Sequence, residues 1–267
     1  MSEMVFAEGK ILARKADGVG TVVFNQPEKR NAMSIAMWDG MAEALDAFEA
    51  DPAIRCVVLE GAGGKAFVSG ADISQFEKNR SDADAQKHYN EKTSHGRKRL
   101  AEFSKPVIAK IQGFCMGGGL GIAMSCDMRI AGTGSEFGIP AAKLGIAYGF
   151  DMVGNLVDLV GPAHAHFILM TGGRLSAEEA ERMGLINKLY PAESLDAEVA
   201  KITSTIAVNA PLSLLANKRT VRAVLADAGD RDMGAIAAAQ NACFDSADYR
   251  EGRRAFMEKR KPAFTGA

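Results

Sequence analysis

Residues 106–130 read PVIAKIQGFCMGGGLGIAMSCDMRI, and the order of apolar runs and glycines within them decides the fold class. PVIAKI (106–111) has the length and β-branched content of a buried strand. After a brief loop, Gly117, Gly118 and Gly119 open a second apolar run, 120–125, which reads as a buried helix. MRIA (128–131) returns to strand character. Strand, glycine bend, helix and strand in immediate succession are the alternation of an α/β protein, not of a helical bundle.

The same alternation extends in both directions. Val19–Phe24 (VGTVVF) reads as a strand and 25–31 (NQPEKRN) as a polar loop around Pro27. Ser34 can N-cap a helix on which Ile35, Trp38, Met41, Leu45 and Phe48 recur every three or four residues. Asp51-Pro52 ends it, and RCVVLE (55–60) is another buried strand. A glycine turn at 61–64 leads to an extended piece at 66–69 and an irregular bend at 70–73. Residues 77–103 are charged with sparse apolar positions, which predicts a solvated helix. Further on, Ser176 and Glu179 form a capping box and Gly184 stops that helix. From about Leu195 strand signals give way to helical periodicity as far as Met257. The expected division is therefore a core at 1–194 and a helical region at 195–267, with no internal repeat.

Composition narrows the function. Lys+Arg 32 against Asp+Glu 33 leaves a net charge of −1, so bulk electrostatics supplies no case for nucleic acid or an anionic membrane. The longest uncharged stretch, 111–126, is too short for a membrane span and holds five glycines. MSEMVFAEGK at the start has acidic residues and no apolar run of signal-peptide length, and the four cysteines show no CxxC. Both features lead to an expected cytoplasmic location with reduced thiols. The four histidines form no HExxH pattern, so no metal site is expected.

Common catalytic motifs fail on inspection. GAGGK (61–65) is followed by Ala66 where a phosphate loop needs Ser or Thr for magnesium. GGGLGI (117–122) does not complete GxGxxG. Neither Ser69 nor Ser135 lies in GxSxG. What remains is the glycine triplet and the bend SGADI (69–73). Free N–H groups at a helix start, aided by the macrodipole, stabilise a negative oxygen, and the missing Cβ atoms let a planar acyl group approach. A second N–H from the 69–73 bend would complete an oxyanion hole. Taken alone, the triplet reads equally well as a tight strand-to-helix connection.

With these two stretches together, the chain resembles the enoyl-CoA hydratase/isomerase (crotonase) family. The matching segments are NQPEKRNAMS (25–34), AFVSGADI (66–73), the 106–130 stretch, LSAEEAERMGLIN (175–187) and YREGRRAFMEKRKPAF (249–264). They span most of the chain in the family's order. The resemblance implies an α/β fold, a crotonase-type spiral of β-β-α turns, closed by a C-terminal helical trimerisation region. It implies an oxyanion hole from the backbone N–H groups of Ala71 and Gly118. No covalently bound cofactor is expected; coenzyme A enters as part of the substrate thioester. Its adenine and pantetheine would lie along Ala71, Asp72, Ile73 and Ser74, with Lys29 and Arg30 near the phosphates. The family's assembly, a homotrimer or a dimer of trimers, would lay Phe256 and Lys259 of a neighbouring subunit over the CoA. Residues 250–261 hold six basic and two acidic side chains, a charge suited to phosphates, although without the resemblance the stretch reads first as a solvated terminal helix.

At two positions the sequence departs from the family's hydratases. The resemblance places their paired glutamates at Gly121 and at Ala141, and neither glycine nor alanine can transfer a proton. Replacement groups are expected in LGIAYGFD (144–151). Tyr148 stands where decarboxylases of the superfamily carry a tyrosine that orients the departing carboxylate, and Asp151 is the only carboxylate of that loop. Their plainer readings are a lid residue and a helix N-cap. Glu136 and Asp72 are secondary candidates. Decarboxylation, isomerisation or another lyase step on an acyl-CoA is expected ahead of standard hydration. A non-catalytic acyl-CoA-binding protein and a hydratase using Asp151 remain the alternatives. The acyl pocket is expected from loop 75–95 and the helix near 140–170.

Overall fold

A computed structural model of the chain describes residues 3–72 and 83–267. Ile73 and Ser74, and residues 75–82 of the expected acyl-pocket loop, lie outside the described residues. The N-terminal strands β1 (Glu3–Phe6), β2 (Ile11–Ala16) and β3 (Val19–Phe24) form an antiparallel meander. Helix α1 (Ile35–Ala50) follows, with Ser34 Oγ accepting from Met37 N–H at its start. Strands β4 (Cys56–Gly61) and β5 (Ala66–Val68) then lead towards α2 (Ala83–Glu102). The unit recurs as β6 (Val107–Ile111), β7 (Phe114–Met116) and α3 (Gly118–Ser125). It recurs again as β8 (Met128–Gly132), β9 (Glu136–Gly138) and α4 (Phe150–Thr171). Strand β10 (Leu175–Ser176), the capping-box helix α5 (Ala177–Arg182) and β11 (Lys188–Tyr190) close the core.

In each turn the first strand joins one sheet and the second joins another. The larger sheet runs β1-β2-β3-β4-β6-β8-β11 and the smaller β10-β9-β7-β5. From β3 to β11 the larger sheet is parallel, as are β5, β7 and β9. The expected spiral of β-β-α turns is the observed fold.

Burial on both faces explains the unbroken apolar runs. Val57, Leu59, Val107, Ala109 and Ala131 point into the main core with α1 and α3. Their neighbours Val58, Ile108 and Ile130 point to the other face, where Leu195 and Val199 of α6 (Leu195–Ala207) cover them. Helices α7 (Pro211–Leu225), α8 (Met233–Asp245) and α9 (Ala247–Met257) complete the C-terminal region. Buried Lys218 of α7 ties it to the core through Asp127 (2.7 Å) and the Lys105 carbonyl (2.6 Å). Among the described residues, no single helix is long and apolar enough to cross a membrane.

One expectation needs correction. Helix α2 is not simply solvated: Tyr89, Thr93, Gly96 and Leu100 form a buried stripe against α1. A Cβ on Gly96 would lie 2.5 Å from the Trp38 carbonyl oxygen, so glycine lets the two backbones touch.

Candidate active site

Two backbone bends meet where β5 and β7 end. Past β5, Gly70 takes φ 121° and the chain zips onto the loop before α1. Ser69 N–H donates to Arg30 O (3.1 Å), Met33 N–H to Gly70 O (2.8 Å) and Asp72 N–H to Met33 O (3.0 Å). In this parallel bridge Gly70 and Asp72 bond to Met33, so the N–H of Ala71 points to the opposite side. No backbone acceptor among the described residues takes it.

Past β7, Gly117 (φ 54°, ψ −118°) N-caps α3 and donates its own N–H to Gly138 O at 2.8 Å. That conformation suits glycine, and it leaves the first N–H groups of α3 without helical partners. Packing decides which way the triplet faces. A Cβ on Gly119 would overlap the Val68 carbonyl oxygen, so Gly119 is pressed against β5. A Cβ on Gly118 would meet only Ala71 N, at 4.0 Å. The structure therefore brings Ala71 and Gly118 to facing bends.

The far end of α3 is clamped by Arg129, a buried side chain on β8. Its Nη1 donates to Cys126 O (2.8 Å) and Ala123 O (3.4 Å), and its Nε to Leu185 O (2.8 Å). A cation on the last carbonyls of α3 aligns with a macrodipole whose positive end is Gly118. Burial pulls this guanidinium down from its ordinary value. Burial also pushes the Cys126 thiol up to about 12 and Cys115 well above its usual range, so neither neighbour supplies a thiolate.

Asn31 fixes the adjoining loop. Its Nδ2 donates to Ala66 O (2.8 Å) and Ala62 O (3.0 Å), while Oδ1 accepts from Gln26 N–H (3.0 Å). Lys29 and Arg30 are thereby held beside the Ala71 bend. Lys29 Nζ lies 2.9 Å from Oδ2 of Asp72, whose carboxylate is buried. Arg30 stacks on Phe114 at 5.0 Å, and Arg174 reaches the same ring at 5.2 Å while donating to Glu136 (3.0 Å). Arg174 gave no sequence signal, because nothing in its neighbourhood places it near Arg30. Phe256 and Lys259 lie in and just after α9, with Phe256 83% exposed. No hydrogen bond or ion pair among the described residues joins them to the two bends.

Over this floor stands the start of α4. A Cβ on Gly117 would lie 3.2 Å from Tyr148 Oη, so the phenol hangs beside the triplet. Four residues on, Met152 stands over Gly121: a Cβ there would meet Met152 Cε at 3.0 Å and Sδ at 3.4 Å. Ala141, the second position where hydratases carry glutamate, is buried. Asp151 is exposed in the first turn of α4, and the N-cap is Gly149 rather than Asp151. Among the described residues no carboxylate comes within 4 Å of a Cβ placed on Gly117, Gly118 or Gly121. None offers a cluster of three or more metal-ligating His, Cys, Asp or Glu.

Known proteins resemble this chain over most of its length. The enoyl-CoA hydratase/isomerase family model matches residues 14–267. A crotonyl-CoA hydratase of Syntrophomonas wolfei is 38% identical over 95% of this chain and 97% of its own. The mitochondrial enoyl-CoA hydratase of Pongo abelii is 34% identical over 94% and 84% of the two chains. A crystal structure of an enoyl-CoA hydratase/carnithine racemase from Magnetospirillum magneticum superposes with a TM-score of 0.92 at 35% identity, covering 97% of this chain and 96% of the other. The chain belongs to the enoyl-CoA hydratase/isomerase family.

Proposed function

We infer that the protein acts on an acyl-CoA thioester through an enolate whose oxygen is held by the N–H groups of Ala71 and Gly118. The observation that carries this reading is the approach of the two bends, with Ala71 N facing the bare Cα of Gly118. Two preorganised backbone donors polarise the thioester carbonyl, acidify the adjacent carbon and stabilise the charge that develops when a bond to that carbon breaks. Tyr148, beside Gly117, is the group we assign to orient or protonate the reacting substituent. Decarboxylation or isomerisation is favoured over standard hydration, because Gly121 and Ala141 carry no proton-transferring group. Coenzyme A is substrate, its phosphates directed to Lys29 and Arg30 and its chain along residues 71–74.

A second reading, hydration with Asp151 as base, draws support from the hydratase names of the relatives. The test is turnover of enoyl-, malonyl- and methylmalonyl-CoA esters by the wild type, Tyr148→Phe and Asp151→Asn. On the favoured reading a malonyl-type or isomerisable ester turns over, Tyr148→Phe abolishes the reaction and Asp151→Asn keeps it. Crotonyl-CoA hydration lost only in Asp151→Asn selects the second reading. Tight binding without any turnover leaves a non-catalytic acyl-CoA-binding protein.

We also propose that the chain works as a homotrimer or a dimer of trimers. Support comes from apolar side chains left exposed on α7 to α9, among them Val221, Val224, Phe244, Phe256 and Met257. The unpaired thiols Cys56, Cys115 and Cys126, all buried, suit a reducing cytoplasm.

A further inference from the structure

The Gly121 position is not empty space awaiting a carboxylate. Gly117, the N-cap of α3, and Gly121, in its first turn, are four residues apart, as are Tyr148, just before α4, and Met152 in the first turn of α4. The two pairs face each other: Tyr148 Oη over Gly117, the Met152 thioether over Gly121. An α-helix rises about 1.5 Å per residue, so Gly121 lies roughly 4–5 Å along the axis from the Gly118 N–H. That is the reach of the first few carbons of an acyl group whose carbonyl oxygen sits on the Ala71 and Gly118 donors. Met152 is partly buried and packs against the main core, so its position is fixed by neighbours. Its sulfur and methyl are apolar and adaptable, and they offer no proton.

We propose that Met152 is the specificity-determining wall of the acyl pocket, closing the Gly121 face to water and limiting acyl length. This rests on the reading that the Ala71 and Gly118 donors bind a thioester. The pairing also accounts for glycine at 121: any side chain there would compete with Met152 for one volume. Where a hydratase holds water between two carboxylates, this cleft presents an apolar wall on one side and a phenol on the other. The substrate class it fits is a short acyl-CoA whose hydrocarbon faces Met152 and whose polar substituent faces Tyr148.

The experiment is calorimetric binding of free CoA and of acetyl-, butyryl- and hexanoyl-CoA to the full chain, wild type against Met152→Ala and Met152→Gln. Saturated esters separate binding from chemistry. In Met152→Ala the affinity for hexanoyl-CoA relative to acetyl-CoA should rise about tenfold, as room opens for two or more methylenes. Met152→Gln keeps the length of the side chain and so guards against a folding failure of the smaller variant; it should weaken butyryl-CoA several-fold relative to free CoA. Free CoA should bind all three proteins alike. An unchanged ranking in both variants, with acetyl-CoA still bound, overturns the role of Met152 and leaves the thioester site standing. Failure of the wild type to bind any ester at millimolar concentration overturns both.

Discussion

At the scale of single residues, the proposed activity depends on two N–H bonds that sequence letters do not display. Gly118 offers a clean test, because proline at the first position of a helix is well tolerated. Gly118→Pro should therefore fold and still bind CoA, while losing one oxyanion donor. The expected loss is about 10²–10³ in kcat, the usual cost of one such donor. Steady-state kinetics on the best substrate, with binding measured separately, checks it; unchanged kcat would move the site elsewhere. Ala71 and Gly118 were legible in the sequence only together, through SGADI and GGG and the family pattern around them. Met152 was not, since a methionine in an apolar stretch reads as core until its contact with Gly121 is seen.

Among the elements, the strands of the larger sheet were readable because burial on both faces writes long apolar runs such as RCVVLE and PVIAKI. The smaller sheet was mostly hidden: β5, β7 and β9 have three residues each, too few for a period of two to show. The buried stripe of α2 was masked differently, by Thr93 and Gly96, whose small or polar side chains carry no hydrophobic signal yet sit against α1. The same pair of helices carries a pH-sensitive latch. Glu49 of α1 accepts from the Ser104 hydroxyl and from Ser104 N–H, and it pairs with Arg99 of α2 at 3.2 Å. Burial pushes the Glu49 carboxyl up, but the bonds from Ser104 and Arg99 more than offset it, and the net shift is down. A lowered folded-state pKa contributes stability above the ordinary carboxylate value of 4.5, lost as the pH falls through the folded value. Glu49→Gln should thus lower Tm at pH 7, and the gap to wild type should narrow below about pH 4. The half-exposed setting limits the effect to about 1 kcal/mol. Thermal melts across pH 3–8 measure it, and a gap that stays constant with pH would show that the latch is not ionic.

For the whole molecule, the question is what the C-terminal region faces. Its tail is anchored from within: the buried Asp248 carboxylate accepts from Thr265 N–H (2.7 Å) and Gly266 N–H (2.9 Å). Arg55, at the entry to β4, donates to Phe264 O at 3.2 Å. A tail held this firmly is a rigid platform, yet the helices it braces leave large apolar side chains in water. On α7, Val221, Val224 and Leu225 are 62%, 66% and 60% exposed, and their spacing of three and four puts them on one face. An isolated apolar residue on a surface is ordinary, but this face, with Met233 and Phe244 of α8 exposed as well, is the surface assigned to the proposed interface between chains. Light scattering should give about three or six times the chain mass of 28.3 kDa. Val224→Glu places an unpaired charge in that interface, and it should shift the particle to monomer at micromolar concentration while the far-UV spectrum is retained. If a neighbour's Phe256 and Lys259 close over the CoA, the dissociated variant should also lose affinity for CoA esters, although Ala71, Gly118 and Tyr148 are untouched. Dissociation with full affinity would place the CoA site within one chain and confine the helical region to assembly.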